Sequence, residues 1–187
     1  FIYHIQLDNV GYDNDSMGLK VVYGEGVDLC VTKSRSLTID GCYYIVCCAR
    51  IVSFSEGYTW IFSVRMGDEV SVGLKNGAVV VKNLNSGSEV VTDIEYNCGW
   101  REFWIMVNTS SNKILKVGVN TLSNDIDIDV YAAGTPDAFS VGEVYNADDA
   151  VEGEIIVDYM LITEEFTPTP IGTQLFLSTA ACTYGVT

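Results

Sequence analysis

Apolar and polar residues alternate with a period of two through most of this chain, which is the pattern of strands with one buried face. In residues 69–75, Val70, Val72 and Leu74 alternate with Glu69, Ser71, Gly73 and Lys75. Asn76-Gly77 follows, and residues 78–81 resume the apolar run. Asn-Gly between two such runs predicts a type I′ hairpin, because both central positions of that turn need positive φ. Residues 65–68 predict a second turn, joining the run at 58–65 to the same hairpin. Asn85-Ser86-Gly87 and Asn97-Cys98-Gly99 punctuate the next segments.

The alternation then continues. Phe103, Ile105 and Val107 share one predicted face, and so do Leu115, Val117 and Val119, with a polar hairpin tip at 109–112 between them. Ile126, Ile128 and Val130 oppose Asp125, Asp127 and Asp129. Residues 154–163 are a long, β-branched-rich run suited to a central strand. Helical spacing is not sustained in any comparable window. The expected fold is an all-β, antiparallel two-sheet sandwich of jelly-roll or concanavalin-like type, with roughly eleven to thirteen short strands.

A chain of 187 residues suits one such domain. Pro168 and Pro170 cannot donate to a strand ladder, so the sandwich is assigned to residues 1–167. Residues 168–187 are assigned to a C-terminal segment packed on the domain or on a neighbouring subunit.

The formal charge is −15, from 25 acidic residues against 10 Lys and Arg, and such a surface repels phosphate backbones. Nucleic acid is therefore not an expected partner. The longest apolar runs, such as residues 43–49, fall well short of the roughly 20 residues of a spanning helix. No membrane span is expected. Secretion is expected on three grounds. The chain opens on Phe1, as after signal-peptide removal. Asn14 and Asn108 head N-glycosylation sequons in turn-like polar segments. The cysteines are six, an even number: Cys30, Cys42, Cys47, Cys48, Cys98 and Cys182 are all disulfide candidates. Cys47 and Cys48 are adjacent in a strand pattern, so they are expected on opposite faces with different partners.

Enzyme chemistry is weighed by its missing parts. Hydroxyl or thiol nucleophiles working through histidine need that base beside them, and His4 is the only histidine. Gly24-Glu25-Gly26 lacks the later glycine and the helix of a dinucleotide fingerprint. Glu102, Glu152, Glu154, Asp158, Glu164 and Glu165 leave a two-carboxylate glycosidase as the one open enzyme class, but none carries a local signature. No catalytic residue is assigned. Calcium is the candidate cofactor, through Asp13, Asp15, Asp148 and Asp149 in predicted loops. The Asp125, Asp127 and Asp129 row is better explained as a solvated strand face, since same-face neighbours lie roughly 6.6 Å apart. Trp60 and Trp104 are expected in the core, and Trp100, after a turn glycine, at the surface.

Several strand motifs carry a family likeness. Leu19-Lys20-Val21-Val22, Gly26-Val27-Asp28-Leu29-Cys30-Val31 and Tyr43-Tyr44-Ile45-Val46 come first. Ser63-Val64-Arg65, Arg101-Glu102-Phe103-Trp104-Ile105 and Ile114-Leu115-Lys116-Val117-Gly118 follow. Together they resemble the farnesoic acid O-methyltransferase-like domain of secreted invertebrate proteins, across about residues 19–160. Cys47-Cys48-Ala49 stands where that family has a glycine-rich stretch. The resemblance implies a β-sandwich used for extracellular recognition, with no catalytic residue. Residues 100–107, Val141-Gly142 and Gly153-Glu154-Ile155-Ile156-Val157 are similar to laminin-G and concanavalin-like domains, which implies the same architecture.

The expected function is an extracellular, non-catalytic binding module for a carbohydrate or protein ligand, with calcium as an aid. The alternative is a structural or carrier subunit of a secreted oligomer, holding an apolar small molecule.

Overall fold

A computed structural model describes residues 2–5, 12–13, 18–23, 30–34, 36–54, 56–142 and 153–170. Among these residues fourteen strands follow one another, more than the eleven to thirteen expected: β1 (Ile2–Ile5), β2 (Tyr12–Asp13), β3 (Gly18–Tyr23), β4 (Cys30–Ser34), β5 (Cys42–Phe54), β6 (Tyr58–Met66), β7 (Asp68–Lys75), β8 (Ala78–Asn83), β9 (Glu89–Glu95), β10 (Arg101–Asn108), β11 (Lys113–Val119), β12 (Leu122–Asp129), β13 (Ala138–Gly142) and β14 (Gly153–Thr163). An eight-stranded sheet has the order β12-β11-β10-β5-β14-β3-β2, with β1 also paired to β14. A six-stranded sheet has the order β4-β13-β6-β7-β8-β9. Every pairing is antiparallel, so the expected two-sheet sandwich is the fold.

The expected turn chemistry is in place. Asn76 and Gly77 have φ of 51° and 87°, as a type I′ hairpin between β7 and β8 requires. The run at 154–163 lies inside β14, which pairs with β5 along one side and with β3 and β1 along the other. The inner faces meet in one core, where Tyr43, Phe62, Phe103 and Phe139 are fully buried among Ile and Val from both sheets. Burying each of the phenylalanines stabilises the fold by about 1.5–3 kcal/mol.

One predicted face is shifted. Ile114, rather than Leu115, joins Val117 and Val119 in the core. The ladder of β11 slips against β12 between Ile114 and Lys116, and that of β10 slips between Met106 and Val107. A bulge of this kind moves the alternation by one residue, so the buried positions change face. Asp125, Asp127 and Asp129 are exposed, as expected, while Ile126, Ile128 and Val130 are buried. Lys113 reaches Asp127 and Lys116 reaches Asp125.

Two tryptophans are buried as expected, and the third departs from expectation. Trp60 and Trp104 are buried, but on the outer faces of the two sheets rather than between them. Trp100 is not at the surface: it is buried with Cys48 and Ile156, and Arg50 lies 5.8 Å from its ring centroid. The turn glycine before it, Gly99, has φ of 98°, a left-handed conformation that suits glycine.

Cys47 and Cys48 do face opposite sides, in separate apolar clusters. The expected bridges are not formed among Cys42, Cys47, Cys48 and Cys98, which are free thiols. The strand points Cys47 into the core and Cys48 away from it, which excludes a bridge between those two. The side chain of Cys30, and Cys182 entirely, lie outside the described residues.

Candidate binding site

The six-stranded sheet has a polar outer face. Ser140, Ser63 and Ser71 sit directly opposite one another on β13, β6 and β7, and all three are buried. Ser63 Oγ donates to Glu69 Oε1 at 2.9 Å. Ser71 Oγ, beside them and without solvent exposure, makes no hydrogen bond among the described residues. Burial pushes the Glu69 carboxyl above its ordinary value, against the opposing pull of the Ser63 hydrogen bond and of Arg65.

Arg65 stands directly across from Glu69. Its Nε donates to Asp137 Oδ1 at 2.7 Å, and the two side chains remain 48% and 39% exposed. The two terminal amino groups of Arg65 make no hydrogen bond among the described residues, so its planar fork faces solvent.

The loop after β12 brings an aromatic to this place. Ala132 N donates to Met66 O at 2.8 Å, and Asp137 N donates to Arg65 O at 3.0 Å, which lays residues 131–137 along the end of β6. Tyr43 fixes the same loop from beneath, its hydroxyl donating to Ala133 O at 2.6 Å. Asn83, fully buried, ties neighbouring loops together: its Nδ2 donates to Asp68 Oδ2 and to Asp129 O. Asp68 Oδ2 in turn accepts from Tyr131 N.

Tyr131 is 82% exposed. Its ring edge nevertheless rests on Gly67, where an added Cβ would lie 2.7 Å from Tyr131 Cδ1. Only a residue without a side chain leaves that seat open, and its φ of 74° suits glycine as well.

At the other end of this face, Tyr58 stacks on Trp60 with centroids 4.9 Å apart. Lys75 and Lys82 place their ammonium groups 4.8 and 4.9 Å from the Tyr58 centroid. Tyr58 donates a hydrogen bond to Glu89, and Lys75 pairs with Glu89 at 2.7 Å, which raises the Lys75 pKa.

The outer face of the eight-stranded sheet is built for holding the chain's own segment. Glu102, 7% exposed, accepts from Tyr159 Oη at 2.7 Å, Thr169 N at 2.7 Å and Thr169 Oγ1 at 3.0 Å. Asn120 Nδ2 donates to Thr169 O at 2.8 Å, and Phe166 lies 5.8 Å from Tyr44 and 5.9 Å from Trp104. Residues 164–170 therefore form a strap fixed on the domain, and residues 171–187 of the expected C-terminal segment lie outside the described residues. The Cys48 thiol lies between Glu102 and Tyr159 in the ladder. Burial, then the charges of Asp158 and Glu102, push its pKa far up, so it is not a thiolate at neutral pH.

The sequence-predicted site residues are distributed as follows. Asn108 ends β10 at the hairpin tip, where its Oδ1 accepts from Ser111 N at 3.1 Å. Asn14, Asp15, Asp148, Asp149 and Glu152 lie outside the described residues, as do the side chains of Asp13 and His4. Among the described residues no cluster of His, Cys, Asp and Glu is arranged to hold a metal ion. Asp158 occupies a bulge in β14, and Glu164 and Glu165 are exposed on the strap. Tyr131, Arg65 and Asp137 were not singled out from sequence. The available signal is one aromatic heading the Ala132-Ala133-Gly134-Thr135-Pro136 turn directly after an alternating run.

No protein-family model matches this chain, and no curated protein matches it. Solved structures do. A botulinum neurotoxin type C structure, for which cell entry depends on interaction with two ganglioside molecules, is 17% identical with a TM-score of 0.56, covering 87% of this chain and 43% of that one. The binding domain of botulinum neurotoxin DC, in complex with rat synaptotagmin II, is 16% identical over 87% of this chain and 43% of that one, also with a TM-score of 0.56. Alginate lyase AlgAT5 of polysaccharide lyase family 7 is 17% identical, with a TM-score of 0.53 over 82% and 80% of the two chains. The shared feature is the sandwich. At these identities the likeness is one of fold, and this chain spans about two-fifths of the neurotoxin chains.

Proposed function

We propose that this chain is a secreted, non-catalytic recognition module that binds carbohydrate at the loop end of its six-stranded sheet. The observation that carries this reading is Tyr131, an exposed ring on a loop tied down at both ends and seated on Gly67. A sugar ring offers C–H groups on its face and hydroxyls at its edge. An open aromatic beside fixed donors and acceptors matches both, and a rigid loop loses little entropy on binding.

Other features support the reading. Sandwiches of this fold include a neurotoxin that interacts with gangliosides and a lyase for alginate. The tip position of the Asn108 sequon favours an extracellular setting. Calcium enters this reading only through Asp13, Asp15, Asp148 and Asp149. The carrier alternative is less favoured, because Tyr43, Phe62, Phe103 and Phe139 fill the space between the sheets.

Binding to a panel of immobilised glycans, for the native chain and Tyr131→Ala, tests the proposal. The native chain should bind a subset of the panel. Tyr131→Ala should lose about tenfold in affinity, as expected for one aromatic contact, with an unchanged melting temperature. Full binding by the variant would move the site elsewhere, and no glycan binding at all would refute the reading.

A further inference from the structure

Resting on that reading, we infer that the Arg65–Tyr131 site takes a neutral sugar with adjacent hydroxyls and discriminates against sugars bearing carboxylate or sulfate. Ala132 N donates to Met66 O and Asp137 N donates to Arg65 O, so the loop that carries Tyr131 and Asp137 runs along the end of β6 that carries Arg65. Stacking on Tyr131 would bring the sugar's edge over Arg65.

The groups that meet that edge are donors and acceptors in alternation. Arg65 offers its two terminal amino groups. Asp137 Oδ2 on one side and Glu69 Oε2 on the other take no hydrogen bond among the described residues. Adjacent hydroxyls each donate one hydrogen bond and accept others, so a diol satisfies a guanidinium and a carboxylate together.

Charge decides the class. One guanidinium is set between Asp137 and Glu69, and the whole chain carries −15. The Arg65 charge is already met by Asp137 at 2.7 Å. An incoming anion therefore gains little from Arg65 and is repelled by the remaining carboxylates, whereas a neutral diol meets no such penalty.

The test compares a neutral oligosaccharide that the native chain binds with its uronate and sulfated counterparts, at low and physiological salt. The acidic forms should bind at least tenfold more weakly, and added salt should narrow the gap by screening the repulsion. Arg65→Gln should weaken the neutral ligand about tenfold, while its circular dichroism and melting temperature stay unchanged because the side chain is half exposed. Equal or tighter binding of the acidic forms overturns this inference and leaves the glycan-binding proposal standing. Neutral preference that survives both Arg65→Gln and Tyr131→Ala overturns the site assignment. Absence of binding to every glycan removes the underlying reading, and this inference with it.

Discussion

Replacing Glu102 with alanine should destabilise the domain by about 3–4 kcal/mol in urea denaturation at neutral pH. The carboxylate is buried on the outer face of the eight-stranded sheet and accepts three hydrogen bonds, from Tyr159 Oη and from Thr169 N and Oγ1. Alanine leaves those donors without their acceptor. Bonds to a charged group contribute about 1.5–3 kcal/mol each, and rehydration of the half-exposed Tyr159 recovers part of that loss. Glu102→Gln keeps one acceptor oxygen and should cost roughly half as much. Both changes should also speed proteolytic cleavage within residues 164–170, since Thr169 is where the strap is held. A loss below about 1 kcal/mol for alanine, with an unchanged cleavage rate, would show that Glu102 does not clamp the strap.

Gly118→Ala should cost about 3 kcal/mol, lowering the melting temperature by about 6–12 °C. A Cβ at this position would lie 2.3 Å from Trp104 Cζ2 and 2.6 Å from Leu122 O. The indole has little room to retreat. Its Nε1 donates to Asn120 O at 2.9 Å, and Tyr44 and Phe166 pack against it at 5.9 Å each. Gly87→Ala separates this steric cost from the backbone cost. Gly87 has φ of 75° with open space around it, so only the left-handed conformation is penalised, by about 1 kcal/mol. The near-ultraviolet dichroism of the tryptophans should change for Gly118→Ala alone. Equal melting temperatures for the two variants would contradict the close approach of β11 to Trp104.

The fold was legible because strand periodicity and turn chemistry are local. Asn76-Gly77 specifies its hairpin within four residues, and the Asp125–Ile126–Asp127–Ile128 pattern needs only one buried face. What went unread depends on partners distant in sequence. Leu115 gives way to Ile114 because the β11 register slips against both neighbouring strands, which a single-strand pattern does not encode. Trp100 and Trp104 are buried on the far side of a sheet, Trp104 beneath a strap whose anchor, Thr169, is 67 residues from Glu102. The candidate site follows the same rule: Arg65 meets Asp137 across 72 residues, and Tyr131 meets Gly67 only once β6 and the loop after β12 have come together. Glu102 was considered among several carboxylates, but its role as an anchor is visible only with Thr169 and Tyr159 in place.

The most direct test of the binding account is an amide-resolved NMR titration of the native chain with a neutral oligosaccharide. The account predicts saturable shifts concentrated at Arg65, Gly67, Tyr131, Ala132 and Asp137, with the amides of β10 and the strap at 164–170 unmoved. Shifts confined to β10 and the strap, or none at saturating ligand, would contradict it.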